Sequence, residues 1–193
     1  METNKSLFLF IALACFTLSS CDDNKPKDSE KVADKANEVK TETNRSEEDA
    51  ELLVNAVSSD YFELAAAEQA NSMSTNASVK EFATMMMMEH KTIMEETRAL
   101  AAKKGYTVPN SMSNDYTSKL QDMAKWKKGK EYDTKYMDDQ LDHHQKMLDQ
   151  LEKCMARTND TDIKMWSQKA AAGVRKHTEM AKTIDTKLEQ LYK

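Results

Sequence analysis

The amino-acid sequence predicts an all-α fold built from a few long helices, and three observations carry this prediction. The 193 residues include only 3 glycines and 2 prolines, too few for the many tight turns of a β-rich domain. Ala, Leu, Met, Lys, Glu and Gln recur throughout the chain, and all of them favour helices. Apolar residues also recur at steps of three or four over four long stretches, a spacing that places them on one face of a helix.

Two long helices are predicted in the first half of the folded part, and both begin at patterns that resemble capping boxes. The first begins near Ser46 and ends around residues 72–75. The second begins at Asn76 or Ser78 and ends at Gly105, a natural C-terminal stop. Because the connection between them is short, the two helices are expected to form an antiparallel pair.

The second half of the chain predicts a longer connection and two more long helices. Residues 106–129 form the connection, in which residues 113–127 are expected to fold as a short extra helix. The third long helix covers about residues 130–157, and the fourth follows a turn at residues 158–160 that also caps it. One long and two short connections are typical of a ferritin-like up-down four-helix bundle, to which we assign residues 46–193.

The N-terminal segment has the pattern of an export signal. Residues 6–17 form an apolar run after Lys5, which has the length of a signal-peptide core and is too short to span a bilayer. Residues 18–21, Leu-Ser-Ser-Cys, resemble the bacterial lipobox, where the chain is cut before a cysteine that then receives lipid. We therefore predict that residues 1–20 are a lipoprotein signal peptide and that lipid on Cys21 anchors the domain to a membrane. The alternative is an ordinary signal peptide followed by a cysteine that carries no lipid.

The rest of the N-terminal part predicts a flexible charged tether that begins at Cys21 and extends to residue 45. Its few branched aliphatic residues cannot bury enough apolar surface to offset the entropy of ordering the segment, although part of it can form nascent helix. We expect the protein in the bacterial cell envelope, lipid-anchored and either periplasmic or surface-exposed. Asp22 and Asp23 after the lipid site do not distinguish between inner membrane, outer membrane and cell surface.

Charge and cysteine content narrow the possible partners. The formal net charge is -5, with acids and bases interspersed and no long basic block, so nucleic acid is not expected as a partner. Cys154 is the one cysteine after Cys21, so no disulfide is expected within the domain. Its simplest interpretation is a small buried apolar residue. The membrane is the one expected partner, and no protein partner is indicated.

Candidate metal ligands occur at corresponding depths of the predicted helices. His90, His144 and His177 fall on the apolar faces of three different helices, and Glu63 is turned inward on the first. Imidazole and carboxylate groups are suitable ligands for a divalent first-row metal ion, and bundles place such ligands in their interior. Leaving one buried polar group unpaired costs about 1–3 kcal/mol, so four in one layer call for a shared partner. The sequence therefore predicts a metal site formed by these four residues.

Two further acidic residues are predicted to support the ligands without binding the ion. Glu89 precedes His90, and Asp133 lies on the same face as His144 but three turns away. Carboxylates in such positions commonly orient metal-binding histidines.

Other interpretations of the inward polar residues are open. A layer of His and Glu can satisfy itself by hydrogen bonds and fix the register of the helices without any metal. A di-iron carboxylate centre is disfavoured, because it needs Glu-x-x-His pairs on two helices and no residue three positions before a histidine of the layer is acidic. The 14 methionines and the pattern His143-His144-x-x-Met147 faintly resemble copper-binding bundles, but methionine as core filler is the simpler account.

Several short motifs stand in an order and spacing that match one known family. They are residues 79–83 followed by Glu89-His90, residues 105–109, residues 132–137 followed by His144, and the single residues Glu63 and His177. Together they resemble the domain of unknown function 4142 family over about residues 50–190. The resemblance implies an exported, ferritin-like domain with a site at Glu63, His90, His144 and His177, and it implies no established reaction.

The sequence thus predicts an envelope-anchored lipoprotein whose ferritin-like domain binds a metal ion, either a divalent transition metal or copper. No complete set of catalytic residues stands out, so a binding role is favoured over an enzyme. One alternative is a metal-free structural or stress-related interaction module of the cell envelope. Another is a metal-dependent redox enzyme with a non-standard centre.

Overall fold

A computed structural model describes residues 27–193, which fold into six helices and contain no strand. The helices are α1 (Ser29–Glu38), α2 (Asn44–Met73), α3 (Ala77–Lys104), α4 (Asn114–Met123), α5 (Lys130–Arg157) and α6 (Thr161–Leu191). The prediction of an all-α fold is confirmed for this part of the chain. None of these helices combines the length and apolar character that crossing a bilayer requires. The expected signal peptide and the lipid site at Cys21 lie outside the described residues.

The short helix α1 occupies part of the segment that was expected to be a flexible tether. It packs on α2 and buries Ala33 and Asn37. The Asn37 side chain donates a hydrogen bond to the Thr107 carbonyl at 2.8 Å and accepts one from the Thr107 amide at 2.7 Å. The tether prediction is therefore wrong for residues 29–38, because polar contacts to a distant loop compensate for the low apolar content of the helix.

The helix caps show which local signals were interpreted correctly. Thr43 caps α2 in a reciprocal capping box with Ser46, and the Asn76 side chain caps α3 by accepting from the Ser78 amide. The expected start near Ser46 is therefore two residues late, since α2 begins at Asn44. Of the two starts predicted for the second helix, Asn76 agrees with the structure, since it is the N-cap of α3. The bounds of α5 agree with the prediction, and Asp160 caps α6 as expected.

The four long helices pack as two hairpins. Residues 74–76 join α2 to α3, and residues 158–160 join α5 to α6. Each hairpin packs along its length, and connections this short make its helices antiparallel. The hairpins face each other through α2 with α5 and through α3 with α6, while α4 packs on α2.

The apolar core is divided by a polar layer. The largest apolar cluster, here called core A, contains Phe62, Phe82, Tyr136 and Leu188 and lies toward the α2–α3 turn. Two smaller clusters, together called core B, lie toward the α5–α6 turn. Between core A and core B, all four long helices contribute polar side chains, and this interruption positions the candidate site.

We expect Asp34→Asn to stabilise the docking of α1 at neutral pH. Burial, with the added negative charge of Glu30 and Glu51, raises the pKa of Asp34 from its usual 3.8 to about 6. A carboxyl whose pKa is raised by folding lowers stability as pH rises from the unfolded to the folded pKa. The variant should therefore melt at a higher temperature than the wild type at pH 7, and the difference should shrink toward pH 4.

The matched control is Glu42→Gln, since Glu42 is exposed and is not among the charges that surround Asp34. Melting temperatures of the three proteins between pH 4 and pH 8 measure the effect. A gain for Asp34→Asn that is equal at all pH values would contradict the assigned cause.

Candidate metal centre

Seven polar side chains fill the layer between core A and core B, and each of them is buried. Hereafter called the polar layer, they are Asp60 and Glu63 on α2, His90 on α3, Gln140, His143 and His144 on α5, and His177 on α6. Buried polar groups almost always have a hydrogen-bond partner, and so we describe the partner of each ring nitrogen in turn.

His90 is oriented by a buried carboxylate. Its Nδ1 lies 2.8 Å from Oδ1 of Asp60, whereas its Nε2 has no hydrogen-bond partner. Burial opposes a charge on His90, but the hydrogen bond and the charge of Asp60 outweigh this and raise its pKa. The carboxylate therefore makes the free Nε2 a stronger base and so a better ligand for a cation.

His144 is oriented by the backbone of its own helix. Its Nδ1 lies 2.8 Å from the Gln140 carbonyl oxygen, which can only accept a hydrogen bond. Nδ1 must therefore carry the hydrogen, and burial lowers the pKa of His144 well below its usual value. It follows that Nε2 of this neutral ring presents a lone pair.

His177 is oriented by Glu89 on the neighbouring helix. Its Nε2 lies 2.9 Å from Oε2 of Glu89, and a neutral ring can meet that carboxylate only with the N–H at Nε2. Burial lowers the pKa of His177, so Nδ1 also presents a lone pair. That Nδ1 lies 3.2 Å from Nε2 of His144, and thus two lone pairs face each other.

The three histidines bring their ring nitrogens together. One nitrogen from each of His90, His144 and His177 lies within 4.8 Å of one from each of the others. Metal–imidazole bonds of about 2.0–2.1 Å in tetrahedral geometry separate two ligand nitrogens by roughly 3.3 Å. The 3.2 Å between His144 and His177 already matches this separation. Three imidazoles on three helices would hold an ion and leave one coordination position open.

Glu63 lies in the same layer but outside the group of three nitrogens. Its carboxyl group is fully buried, with Oε1 3.3 Å from Nε2 of His143. Neither oxygen has a partner at normal hydrogen-bond geometry. Burial raises the pKa of Glu63 to about 7, although the charge of His90 and the nearby Gln140 amide act in the opposite direction. The three predicted histidines therefore meet, while the fourth predicted ligand is directed toward His143.

The two predicted supporting residues have different positions. Glu89 forms a hydrogen bond with one of the predicted ligands, although that partner is His177 on α6 and not the adjacent His90. Asp133 is remote from the layer, since its Oδ2 accepts a hydrogen bond from the Tyr192 hydroxyl at 2.9 Å and lies 3.5 Å from Thr75 Oγ1. It stabilises the opposite end of core A.

Sequence reasoning missed Asp60 and His143. Asp60 lies one turn before Glu63 on the same face of α2, and this three-residue spacing was the available signal. His143 lies beside His144, and neighbouring residues on a helix face different directions, so only one was expected inside. In the structure both are buried, and His143 Nε2 meets Ser59 Oγ at 2.7 Å.

The methionines near the site are packing residues. Met86 is fully buried in core A, and Met147 packs against core B beside Leu151. Their positions agree with the interpretation of methionine as core filler.

The family resemblance is confirmed by comparison with known proteins. The family model described as Domain of unknown function (DUF4142) matches residues 34–184, which is more than half of the chain. The chain therefore belongs to this family. No curated protein and no solved structure matches it.

We expect Glu63→Gln to stabilise the metal-free protein in a pH-dependent way. Folding raises the pKa of Glu63 from its usual 4.5 to about 7, so its ionisation lowers stability as pH rises through that window. The shift corresponds to about 3 kcal/mol at most. In chelator-treated protein the variant should gain up to that amount of unfolding free energy at pH 8 and little at pH 5.

Glu68→Gln is the control, since Glu68 lies on the same helix and is exposed. Urea unfolding at both pH values gives the free energies. An equal gain at pH 5 and pH 8 would show that the ionisation of Glu63 is not the cause.

Proposed function

We propose that this member of the family binds one divalent first-row transition-metal ion, or copper, through His90, His144 and His177. The observation that carries the proposal is the convergence of three ring nitrogens whose partner nitrogens are already bonded. Three imidazoles suit zinc, copper, iron and nickel, so the ligand set defines a class of ions.

The hydrogen bonds of His144 and His177 favour a bound ion over a polar layer that contains none. With neutral rings, Nε2 of His144 and Nδ1 of His177 direct two lone pairs at each other across 3.2 Å. A shared proton would relieve this repulsion, but burial lowers the pKa of both rings and opposes it. A cation between the nitrogens relieves it without protonating either ring.

The charges around the three histidines are also favourable for a cation. Asp60 and Glu89 are carboxylates that each contact a proposed ligand ring on the side away from the ion. Such carboxylate–histidine–metal arrangements fix the ring orientation and strengthen the ligand. Lys176 neutralises part of this charge through its ion pair with Glu89.

We further propose that the four long helices form a ferritin-like four-helix bundle held at the bacterial cell envelope by lipid on Cys21. The single long connection, which carries α4, supports the first part, because this class has one crossover and inward metal ligands. The Leu-Ser-Ser-Cys pattern at residues 18–21 supports the second. Palmitate labelling of the expressed full chain, compared with Cys21→Ser, tests the lipid anchor, and equal labelling of both would refute it.

The first test of the metal site measures bound ions directly. The chain from residue 22 onward is dialysed against a mixture of divalent metals, and its metal content is determined by mass spectrometry. We expect about one ion per chain, lost in His144→Ala and His177→Ala. His143→Ala is the matched control, because His143 lies on the same helix as His144, is also buried, and forms its hydrogen bond with Ser59 and not with any of the other three rings.

The site would be refuted if the folded wild type bound no metal, or if His143→Ala lost as much metal as His144→Ala and His177→Ala. The polar layer would then only contribute to the packing of the helices.

A second prediction concerns the residue that orients His90. Asp60→Asn should weaken metal affinity about 10–100-fold, the usual effect of removing a carboxylate behind a ligand histidine. Asp133→Asn should leave the affinity unchanged, because this equally buried carboxylate bonds to Tyr192 at a distance from the layer. Competition with a chromophoric chelator measures both affinities, and equal weakening in the two variants would contradict the role given to Asp60.

A further inference from the structure

The three groups that orient the proposed ligand rings differ in their access to solvent. Asp60 and Gln140, which orient two of the rings, are both buried. Glu89, which orients His177, leaves 33% of its side chain exposed. The rings themselves are enclosed by protein, and the free Nε2 of His90 is buried as well. Glu89 is therefore the group through which the proposed site meets water.

Glu89 lines a surface groove between α3 and α6. The groove has a volume of about 370 Å³, and Ile93 on α3 and Trp166 and Ala170 on α6 form part of its walls. A water molecule occupies about 30 Å³ in the liquid, so the groove has room for a cation together with its first shell of waters. The groove thus joins solvent to the carboxylate that contacts His177.

A glycine in the middle of α6 keeps this groove open. Gly173 lines the groove and lies one turn before His177 on the same helix. Gly105 and Gly129 flank helices, whereas Gly173 stands inside one, where glycine is less favourable than alanine. A Cβ on Gly173 would meet no atom within 4 Å. The missing side chain therefore leaves open space and does not serve a close contact between helices.

The charges along the groove favour a cation. Glu89 and Glu96 both line it, and Lys169, which also lines it, forms an ion pair with Glu96. Two carboxylates against one ammonium leave the lining negative, and apolar walls concentrate the field of these charges. Lys176 pairs with the other oxygen of Glu89, but its side chain is exposed. Because ion pairs this exposed are weak, a divalent cation can displace the ammonium.

The His177 ring connects Glu89 to the other two rings. Its Nε2 lies 2.9 Å from Oε2 of Glu89, and its Nδ1 lies 3.2 Å from Nε2 of His144. The centroid of the His90 ring is 5.3 Å from that of His177. A turn of this one side chain out of its hydrogen bond with Glu89 would therefore open the way from the carboxylate to the converging nitrogens, and the helices would not need to separate.

We propose that the metal ion reaches its site through this groove, that Glu89 binds the incoming cation first, and that the His177 ring turns to pass it to the other two histidines. The inference rests on the proposed metal site and assigns the route by which that site exchanges its ion with solvent. Glu89 accordingly orients His177 while the ring is in place and receives the ion when the ring turns.

The test measures the rate of metal uptake separately from the amount bound. The chain from residue 22 onward is mixed with cobalt(II) chloride in a stopped-flow instrument, and the visible bands of the bound ion give the association rate constant. Mass spectrometry gives the cobalt content at equilibrium. Glu89→Gln should lower the rate constant about tenfold or more, because it removes the charge that attracts the ion. Lys176→Gln should raise it, because it removes the competing ammonium.

Glu95→Gln is the matched control for charge. Glu95 lies on the same helix as Glu89 and is exposed, but it does not line the groove. The substitution removes the same charge from the protein, so an effect of net charge alone would slow uptake in both variants. We expect the wild-type rate constant for Glu95→Gln.

A second pair of variants tests the space in the groove without changing any charge. Gly173→Leu places a side chain in the groove and should slow cobalt uptake several-fold while the content at equilibrium stays unchanged. The variant should fold, since leucine favours helix and the position has room for a side chain. Ala172→Leu is the control, because Ala172 is the neighbouring residue, is exposed and lies outside the groove.

The outcomes separate the route from the metal site itself. Cobalt uptake at the wild-type rate in Glu89→Gln or in folded Gly173→Leu, or equal slowing in the matched control, overturns the route and leaves the metal site intact. If Gly173→Leu does not fold, the comparison of Glu89→Gln with Glu95→Gln decides. Failure of the folded wild type to bind cobalt at equilibrium overturns both the route and the site.

Discussion

The hydrogen bonds that fix one nitrogen of each histidine are the constraint on which the candidate metal site depends. An imidazole ring that could turn freely would present either nitrogen to its neighbours, and no fixed arrangement of lone pairs would result. Asp60 and Glu89 determine which nitrogen of His90 and His177 carries the hydrogen, and the acceptors lie on helices adjacent to those of the rings. The same contacts that pack α2 on α3 and α3 on α6 therefore also set the chemistry of the interior.

These contacts form only when the helices are in register, and the short turns keep them in register. Residues 74–76 and 158–160 leave little freedom for one helix of a hairpin to slide along the other. Core A and core B then hold the hairpins together on either side of the polar layer. A shift of one helical turn would move a histidine from the layer into an apolar cluster, where its ring nitrogens would have no partner.

Much of this arrangement could be predicted from sequence, because helix periodicity places residues on faces. The inward positions of His90, His144 and His177 follow from steps of three and four, and short connections fix their depth. Periodicity carries no information on contacts between distant segments, and therefore the docking of α1 through Asn37 and Thr107, 70 residues apart, was missed. It also does not give ring orientation, and so the partnership of His177 with Glu89 was not anticipated.

A comparison with other buried polar atoms of this chain indicates that the polar layer does more than pack the helices together. Asp49, a buried carboxylate at the other end of α2, has both oxygens partnered, by the Thr158 hydroxyl at 2.8 Å and the Cys154 thiol at 3.6 Å. Of the ten buried side-chain atoms without a partner in residues 27–193, seven belong to Asp60, Glu63, His90, Tyr136 and Gln140. The other three belong to Asp34, Asp133 and Asp139, each of which leaves one oxygen without a partner. An unpartnered His90 Nε2, on one of three histidines whose ring nitrogens converge, is what a site for a metal ion would produce.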